Sequence, residues 1–201
     1  MTVAESLRSR QKTQRRVTML TAARGLFVER GYSKTTMDAI AARAEVGVAT
    51  VYTYFVNKEG VFAELAKMDM AELQLEGEEL LKSLPDDPVE SVVKLLRIYN
   101  KVYDFITYEV VMDFTIEVKH EGPLRKTGRW ISDWKVDQLS RALVQGQMAG
   151  KVSDSLSIQD AAQIIHDLAD HQYQRVRPNE SRKRTETKLN KWVSILFESW
   201  R

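Results

Sequence analysis

The sequence predicts an all-α protein, and three observations lead to this fold class. Apolar residues recur every three or four positions along almost the whole chain, which is the spacing of one buried helical face. The 201 residues include only 9 Gly and 4 Pro, which leaves little sequence for strand-and-turn clusters. A content of 43% hydrophobic and 29% charged residues is that of a soluble globular protein. Together these features predict about nine helices and no strand.

Composition also excludes several classes of protein. The chain has no cysteine, so it can form neither a disulfide framework nor a thiolate metal site. No apolar run resembles a signal peptide or could span a bilayer, so we expect a cytoplasmic protein without a membrane partner. Residues 1–60 contain 10 Lys/Arg against 5 Asp/Glu, whereas residues 61–201 contain 20 against 23. A basic N-terminal part is typical of a protein that binds phosphates of nucleic acids, although a solvated surface would look the same.

The first part of the chain predicts a polar arm followed by a helix. Residues 1–14 are polar and basic, and we expect them to form a mobile arm. A helix then begins at about Arg15, and its apolar positions recur with helical spacing. Gly31 ends this helix as a C-cap.

Two short helices come next. The second helix begins at Thr35, with Asp38 three residues later as a capping-box partner. The third begins after Gly47, which serves as its N-cap, and places Val51 and Phe55 on its inner side. Two short helices joined by a tight turn predict a helix-turn-helix.

The rest of the chain predicts six longer helices separated by Pro, Gly and Asn. Asn57 caps the first of them, and Asp87 caps the second with Pro88 at its first position. The predicted spans are 57–83, 88–106, 107–119, 124–149, 158–176 and 181–200. The breaks lie at Pro85 to Pro88, Gly122-Pro123, Gly150 and Pro178-Asn179.

One set of residues near the N-terminus, taken together, is characteristic of a known protein family. Its members are Ala22-Ala23, Leu26-Phe27, Gly31-Tyr32, Thr35-Thr36, Ile40-Ala41, Ala44, Val46, Val51 to Phe55 and Lys58-Glu59. In this spacing they resemble the DNA-binding domain of the tetracycline-repressor (TetR) family of bacterial transcription regulators. The resemblance implies a helix-turn-helix domain in residues 1–60 and a helical domain for ligand binding and dimerisation in residues 61–201.

The resemblance also implies eight positions that contact DNA. Residues at the starts of the second and fourth helices would meet phosphates, the outward side of the third helix would face base edges, and two tyrosines would offer hydroxyls to the backbone. The positions are Thr36, Val48, Ala49, Thr50, Tyr52, Thr53, Tyr54 and Lys58. The alternatives are packing of the two tyrosines against the first helix and a plain surface lysine at position 58.

Two features of this segment depart from the family pattern. Glu45 stands where the family usually has Gly, and Gly47 stands where it often has Ser. A positive φ at Glu45 would carry a backbone cost. The third helix contains no Arg, Lys, Asn or Gln, which are the side chains that make bidentate contacts with bases. We therefore expect affinity to depend on phosphate contacts and DNA shape more than on base contacts.

Residues 88–150 are rich in aromatic side chains. By resemblance, helices of this region enclose a pocket for a small apolar or aromatic ligand. The candidate lining residues are Tyr103, Met112, Phe114, Trp130 and Trp134. The alternative is that these side chains simply form the core.

The last two helices carry broad apolar stripes. In the family such helices pair with their copies in a four-helix dimer interface. The residues expected there are Ile158, Ala162, Ile165, Ala169, Leu189, Trp192, Val193, Leu196 and Trp200. A two-fold dimer implies a palindromic operator.

The patterns of catalytic and metal sites are weak or missing. Glu117 and His120 have the spacing of carboxylate-bridged metal helices, but no second copy exists, and His166 with Asp170 fits an ordinary helix-face pair. We expect no enzyme, metal or cofactor. The sequence favours a homodimeric repressor that a small molecule releases from DNA, with an activator still open. An architectural DNA-binding protein, or a helical protein that only binds a small molecule, is the alternative.

Overall fold

The computed structural model describes residues 3–174 and 182–200, which form helices joined by short turns and loops. Within these ranges there is no strand, so the all-α prediction is confirmed. The ten helices are α1 (Val3–Arg30), α2 (Met37–Arg43), α3 (Val48–Tyr54), α4 (Lys58–Leu81), α5 (Pro88–Tyr99), α6 (Val102–Phe105), α7 (Tyr108–Glu117), α8 (Pro123–Met148), α9 (Ile158–Gln174) and α10 (Arg182–Ser199). None of the helices in these ranges is both long and apolar enough to cross a membrane.

The helix expected over 88–106 is divided into α5 and α6. Asn100 is the C-cap of α5, and its buried carboxamide donates to the Leu96 carbonyl at 2.7 Å. A side chain that bonds its own backbone competes with the helical ladder, which explains the break. The expected Pro178-Asn179 break lies outside the described residues.

The mobile arm is the clearest correction to the sequence analysis. From Val3 onward the arm is the beginning of α1, which continues without interruption to Arg30. Polarity suggested an arm, but the segment contains no Gly or Pro and many straight-chain residues that lose little entropy in a helix. The basic residues of positions 10–15 are exposed along this helix.

Three of the predicted helix boundaries are confirmed by their hydrogen bonds or dihedral angles. The Asn57 carboxamide oxygen accepts from the Gly60 N–H at 2.8 Å at the start of α4. Asp87 accepts from the Val89 N–H at 3.0 Å at the start of α5. After α8, Gly150 has a φ of 66°, a left-handed conformation that glycine adopts without strain.

The chain divides into two compact units. The first comprises Met1–Met68 with Glu109–Gly128, and the second comprises Asp69–Tyr108 with Arg129–Arg201. The first unit therefore takes in α7 and the start of α8 in addition to the first sixty residues. The functional division into residues 1–60 and 61–201 stays a prediction.

Four aromatic rings from three helices and a turn form the centre of the first unit. Phe62 of α4 lies 5.0 Å from Phe27 and 4.9 Å from Tyr32, measured between ring centroids. Phe114 of α7 meets Phe62 edge-on at 5.7 Å. This cluster packs α1, α4 and α7 together with the turn that precedes α2.

The second unit combines a large apolar core with one polar bridge between α4 and α8. The buried Gln138 donates to the Gln74 carbonyl and to Glu78, each at 2.9 Å, and Arg141 donates to both oxygens of Glu78. Gly77 allows this approach, because a Cβ there would collide with the Gln138 carboxamide. Partial burial by itself would raise the pKa of Glu78. The hydrogen bonds that Gln138 and Arg141 donate to the carboxylate outweigh this effect, so the pKa lies below its ordinary value.

Candidate nucleic-acid interface

The start of α2 lies one residue later than the sequence suggested. Thr36 is the N-cap, and its hydroxyl oxygen accepts from the Ala39 N–H at 3.1 Å. The expected capping box of Thr35 and Asp38 is therefore wrong. The Thr35 hydroxyl is buried and instead donates to the Gly31 carbonyl at 2.9 Å, which closes the turn after α1. Thr36 is exposed at the helix start, where free N–H groups favour an anion.

The turn between α2 and α3 is built on Glu45. Glu45 N–H donates to the Ala42 carbonyl at 3.2 Å, and Val46 N–H donates to the Ala41 carbonyl at 3.0 Å. This pair of bonds is a Schellman motif, which requires a left-handed residue after the C-cap. Glu45 has a φ of 55° and supplies that residue. The backbone cost anticipated at this position is therefore present.

We expect Glu45→Gly to stabilise the protein. The left-handed conformation costs an L-residue about 1–2 kcal/mol, and the greater freedom of glycine in the unfolded chain offsets part of the gain, so the free energy of unfolding should rise by about 0.5–1 kcal/mol. Urea denaturation followed by circular dichroism measures this change. Glu45→Ala is the matched control, because it removes the carboxylate and retains the β-carbon. If both variants stabilise equally, the carboxylate and not the backbone is responsible.

The fold turns one side of α3 inward and leaves the other side free. Val51 and Phe55 are buried. Ala49, Tyr52 and Thr53 are exposed, while Val48, Thr50 and Tyr54 are partly buried. Tyr52 leaves 50% of its surface accessible, which argues against packing on the first helix as its main role. The Thr53 hydroxyl donates to the Ala49 carbonyl at 2.8 Å, so its methyl group is the part available to a partner.

Tyr54 and Lys58 make contacts within the protein that the sequence did not predict. The Tyr54 ring packs on Phe55 with centroids 6.3 Å apart. The Lys58 ammonium donates to the Tyr32 carbonyl at 2.7 Å and lies 4.2 Å from the centre of the Tyr32 ring. Burial lowers the pKa of Lys58, while the carboxylates of Glu117 and Asp113 oppose this shift. The hydrogen bond to Tyr32 fixes the Lys58 side chain against the turn between α1 and α2. A contact of this ammonium with a DNA phosphate stays a prediction.

Asp113 lies 81 positions from its hydrogen-bond partner Tyr32, and no local pattern predicted its role. Its carboxylate accepts from the Tyr32 N–H at 2.9 Å, and so attaches α7 to the turn between α1 and α2. Glu59 makes a second attachment by accepting from the Leu124 N–H at 3.1 Å at the start of α8. Burial and the charges of Glu117, Glu59 and Asp113 raise the pKa of Tyr32 to about 12. No local pattern marks such long-range pairs.

The five candidate ligand residues fall into both units. In the second unit, Trp130 and Trp134 lie 6.4 Å apart between ring centroids, and Tyr103 stacks on Tyr173 at 5.9 Å. Met112 and Phe114 belong to the first unit. Phe114 packs on Phe62 within that unit, and its part in a ligand pocket stays a prediction.

The expected dimer residues also separate into two groups. Ala162, Ile165, Ala169, Leu189 and Val193 are buried in the core of their own chain. Side chains without free surface cannot contact a second copy, so the prediction is corrected at these five positions. Ile158, Trp192, Leu196 and Trp200 are partly exposed and stay candidates. Two residues that the sequence analysis missed, Ile164 and Ile195, leave 49% and 51% of their surfaces accessible on α9 and α10.

Comparisons with known proteins agree with this geometry. The family model described as bacterial regulatory proteins, tetR family, matches residues 19–65. The HTH-type transcriptional regulator YhgD of Bacillus subtilis is 40% identical over 72 residues, which are 35% of this chain and 38% of YhgD. The fatty acid metabolism regulator protein of the same organism is 24% identical over 164 residues, which are 80% of this chain and 82% of that protein.

A solved structure extends the likeness beyond the helix-turn-helix. The transcriptional regulator FadR from Bacillus subtilis, in complex with stearoyl-CoA, superimposes with a TM-score of 0.75 at 21% identity. The match covers 92% of this chain and 99% of FadR. At this identity the likeness establishes the fold.

Among the described residues of this chain, no group of three or more His, Asp or Glu side chains could hold a metal ion.

Proposed function

The chain belongs to the tetR family of bacterial regulatory proteins, and on that premise we propose that it is a homodimeric transcriptional repressor that leaves its operator when a small apolar or aromatic molecule binds. The observation that carries the proposal is the free outer side of α3. Ala49, Tyr52 and Thr53 are exposed there, on a helix whose opposite side is buried in the domain. A short helix held in this way is the part of a helix-turn-helix that enters the major groove.

The chemistry of α3 favours a particular kind of DNA recognition. Methyl groups of Ala49 and Thr53 can contact thymine methyls, and the Tyr52 hydroxyl can reach a phosphate. With no bidentate side chain on α3, the operator would be selected mainly through its shape and its thymine positions. We therefore propose contacts by Thr36, Val48, Ala49, Thr50, Tyr52, Thr53, Tyr54 and Lys58, in which phosphates provide most of the affinity.

A second copy is proposed to pack on α9 and α10. The exposed side chains Ile164 and Ile195, together with the partly exposed Trp192, give these helices an apolar outer surface that water solvates poorly. A two-fold interface uses the same surface on both copies. It would present two α3 helices to a palindromic operator with one helical turn between half-sites.

The aromatic side chains of the second unit support an apolar or aromatic ligand. Trp134 contacts both Tyr99, edge-on at 5.3 Å, and Trp130. FadR, whose fold this chain shares, holds stearoyl-CoA, so a helical domain of this shape can accept a long apolar molecule. Binding would release DNA by linkage, because a ligand that prefers one conformer lowers affinity for whatever requires the other.

The attachment of α7 to the helix-turn-helix gives this coupling a physical basis. Asp113 fixes the Tyr32 turn, and Glu59 fixes the start of α8. Helix α8 begins in the first unit and ends in the second. We propose that ligand binding acts on α3 through this pair of attachments.

We expect Asp113→Ala to weaken the first unit. The variant leaves the Tyr32 N–H without its acceptor, which should lower the free energy of unfolding by about 1–3 kcal/mol. Chemical denaturation measures the loss. Asp113→Asn retains a carbonyl acceptor and should lose less, and Asp133→Ala is an exposed control on α8. Equal stabilities for the Asp113 and Asp133 variants would show that the attachment contributes nothing.

Selection from a random duplex library tests the proposed function. Purified protein should enrich a palindrome whose half-sites are one helical turn apart, and salt should weaken its binding steeply because phosphate contacts release counterions. An architectural protein would bind DNA without enriching any sequence, and a pure small-molecule-binding protein would not retain DNA at all. Either result would contradict the proposal.

A further inference from the structure

Trp134 holds a hydrogen-bond donor that the protein does not use. The side chain is only 6% exposed, and its indole N–H has no acceptor within the described residues. Buried tryptophans generally find a partner for this group, because an unpaired buried donor is costly. The ring itself is well fixed, with Tyr99 meeting it edge-on and Trp130 on another side. The free N–H is therefore a fixed donor in the core of the second unit.

Lys135 brings a positive charge to the same aromatic group. Its ammonium lies 5.5 Å from the centre of the Tyr99 ring and 5.9 Å from that of Trp134. Among the described residues the ammonium itself makes no hydrogen bond, and these two rings are its contacts; the Lys135 backbone carbonyl accepts from the Tyr99 hydroxyl at 3.4 Å. Burial lowers the pKa of Lys135, and the charge of Asp170 opposes this shift only in part. Among the described residues, no carboxylate forms a direct ion pair with this ammonium, although a cation shielded from water usually has such a partner.

One imidazole and two carboxylates lie near Lys135. His166 of α9 is largely buried, and its pKa is lowered first by burial and then by the charge of Lys135. Asp170 and Asp167 act in the opposite direction on His166, the latter through a contact of 3.3 Å. Both carboxylate residues are exposed. With its pKa lowered, His166 is mainly neutral at pH 7, and water screens the two exposed carboxylates, so the Lys135 ammonium is the charge that would attract an anion at the indole.

We propose that Trp134 and Lys135 bind the carboxylate of an organic acid whose apolar or aromatic body packs on the rings of Tyr99 and Trp130. The inference deepens the proposed function by assigning the ligand a charge and a contact point. One ammonium and one neutral N–H match one negative charge and two acceptor oxygens. A neutral ligand would leave the ammonium without a direct ion-pair partner, and a phosphate dianion would leave excess charge in an apolar site.

The experiment compares the affinities of acids with those of neutral alcohols that have the same hydrocarbon skeleton. Isothermal titration calorimetry of the full chain, without DNA, would use decanoate against decanol and 1-naphthoate against 1-naphthalenemethanol. We expect at least one acid to bind about tenfold or more tightly than its alcohol, as hydrogen bonds to charged groups allow. Trp134→Phe and Lys135→Met should each weaken binding of that acid about tenfold and change binding of its alcohol less than about twofold. Lys94→Met, at an exposed lysine that pairs with Glu90, is the matched control.

Each outcome decides for or against the inference. Equal affinities for acid and alcohol in both pairs, no binding of either acid, or an acid preference that survives both substitutions would overturn it. Thermal melting followed by circular dichroism would verify that the variants are folded. The proposed function fails separately: if the acids bind as expected but the selected DNA is retained, the acid site exists and the release mechanism is wrong.

Discussion

Ala49→Asp should reduce DNA affinity by roughly a hundredfold or more, because like charges brought together at an interface cost several kcal/mol. Ala49 is exposed at the start of α3, so the substitution introduces a carboxylate without disturbing the core. In the proposed complex this carboxylate would lie between two phosphate backbones. The first turn of a helix also favours a carboxylate, so the stability of the fold should be unchanged or slightly increased.

Fluorescence anisotropy with the selected palindrome measures this loss. Ala149→Asp is the matched control, because it makes the same chemical change at an exposed position after α8. We expect the control to bind DNA with an affinity within about twofold of the unmodified chain, since Ala149 is not among the proposed DNA contacts and a single exposed charge is screened by salt. If Ala49→Asp binds equally well, α3 does not enter the groove and the interface has been misplaced.

Ile164→Asp combined with Ile195→Asp should convert the proposed dimer into a monomer. Two-fold symmetry places each substitution twice in the interface, where unpaired carboxylates lose their water without gaining a partner. A monomer contacts a single half-site and loses the effective concentration of its linked copy. Affinity for the palindrome should then fall roughly a hundredfold or more.

Sedimentation equilibrium and anisotropy on the same samples would measure both effects. Leu75→Asp is the control, since Leu75 on α4 is 70% exposed and belongs to a different helix of the same unit. It should remain a dimer with unchanged DNA binding. A double variant that still sediments as a dimer would show that the copies meet elsewhere, and the partly exposed candidates Ile158, Trp192, Leu196 and Trp200 would have to be reassigned.

Local patterns predicted most of the helices for a short-range reason. A cap such as Asn57 or Asp87 bonds to an N–H two or three residues away, so both partners lie within one short stretch of sequence. The turn at Glu45 was recognised in the same way, because the family usually places glycine there and the left-handed φ is a property of one residue. The outward side of α3 followed from helical spacing once Val51 and Phe55 were taken as buried.

The errors have equally specific causes. The polar, basic residues 1–14 have no apolar stripe and were therefore predicted to form an arm. Their high helix propensity is enough to extend α1 to Val3. The cap of α2 was assigned to Thr35 instead of Thr36, because two adjacent threonines offer the same hydroxyl and only packing buries one of them.

The sequence by itself determined the fold class, the position of the helix-turn-helix and the residues that its outer side could present, because helical spacing and caps act over a few residues. Only the tertiary structure decided which side of a broad apolar helix faces inward. It buried Ile165 and left Ile164 exposed, although the two are adjacent and chemically identical. It also joined Asp113 to Tyr32 and left the Trp134 N–H without an acceptor among the residues that the structure describes. Contacts between distant segments depend on how helices pack, and no local pattern records them.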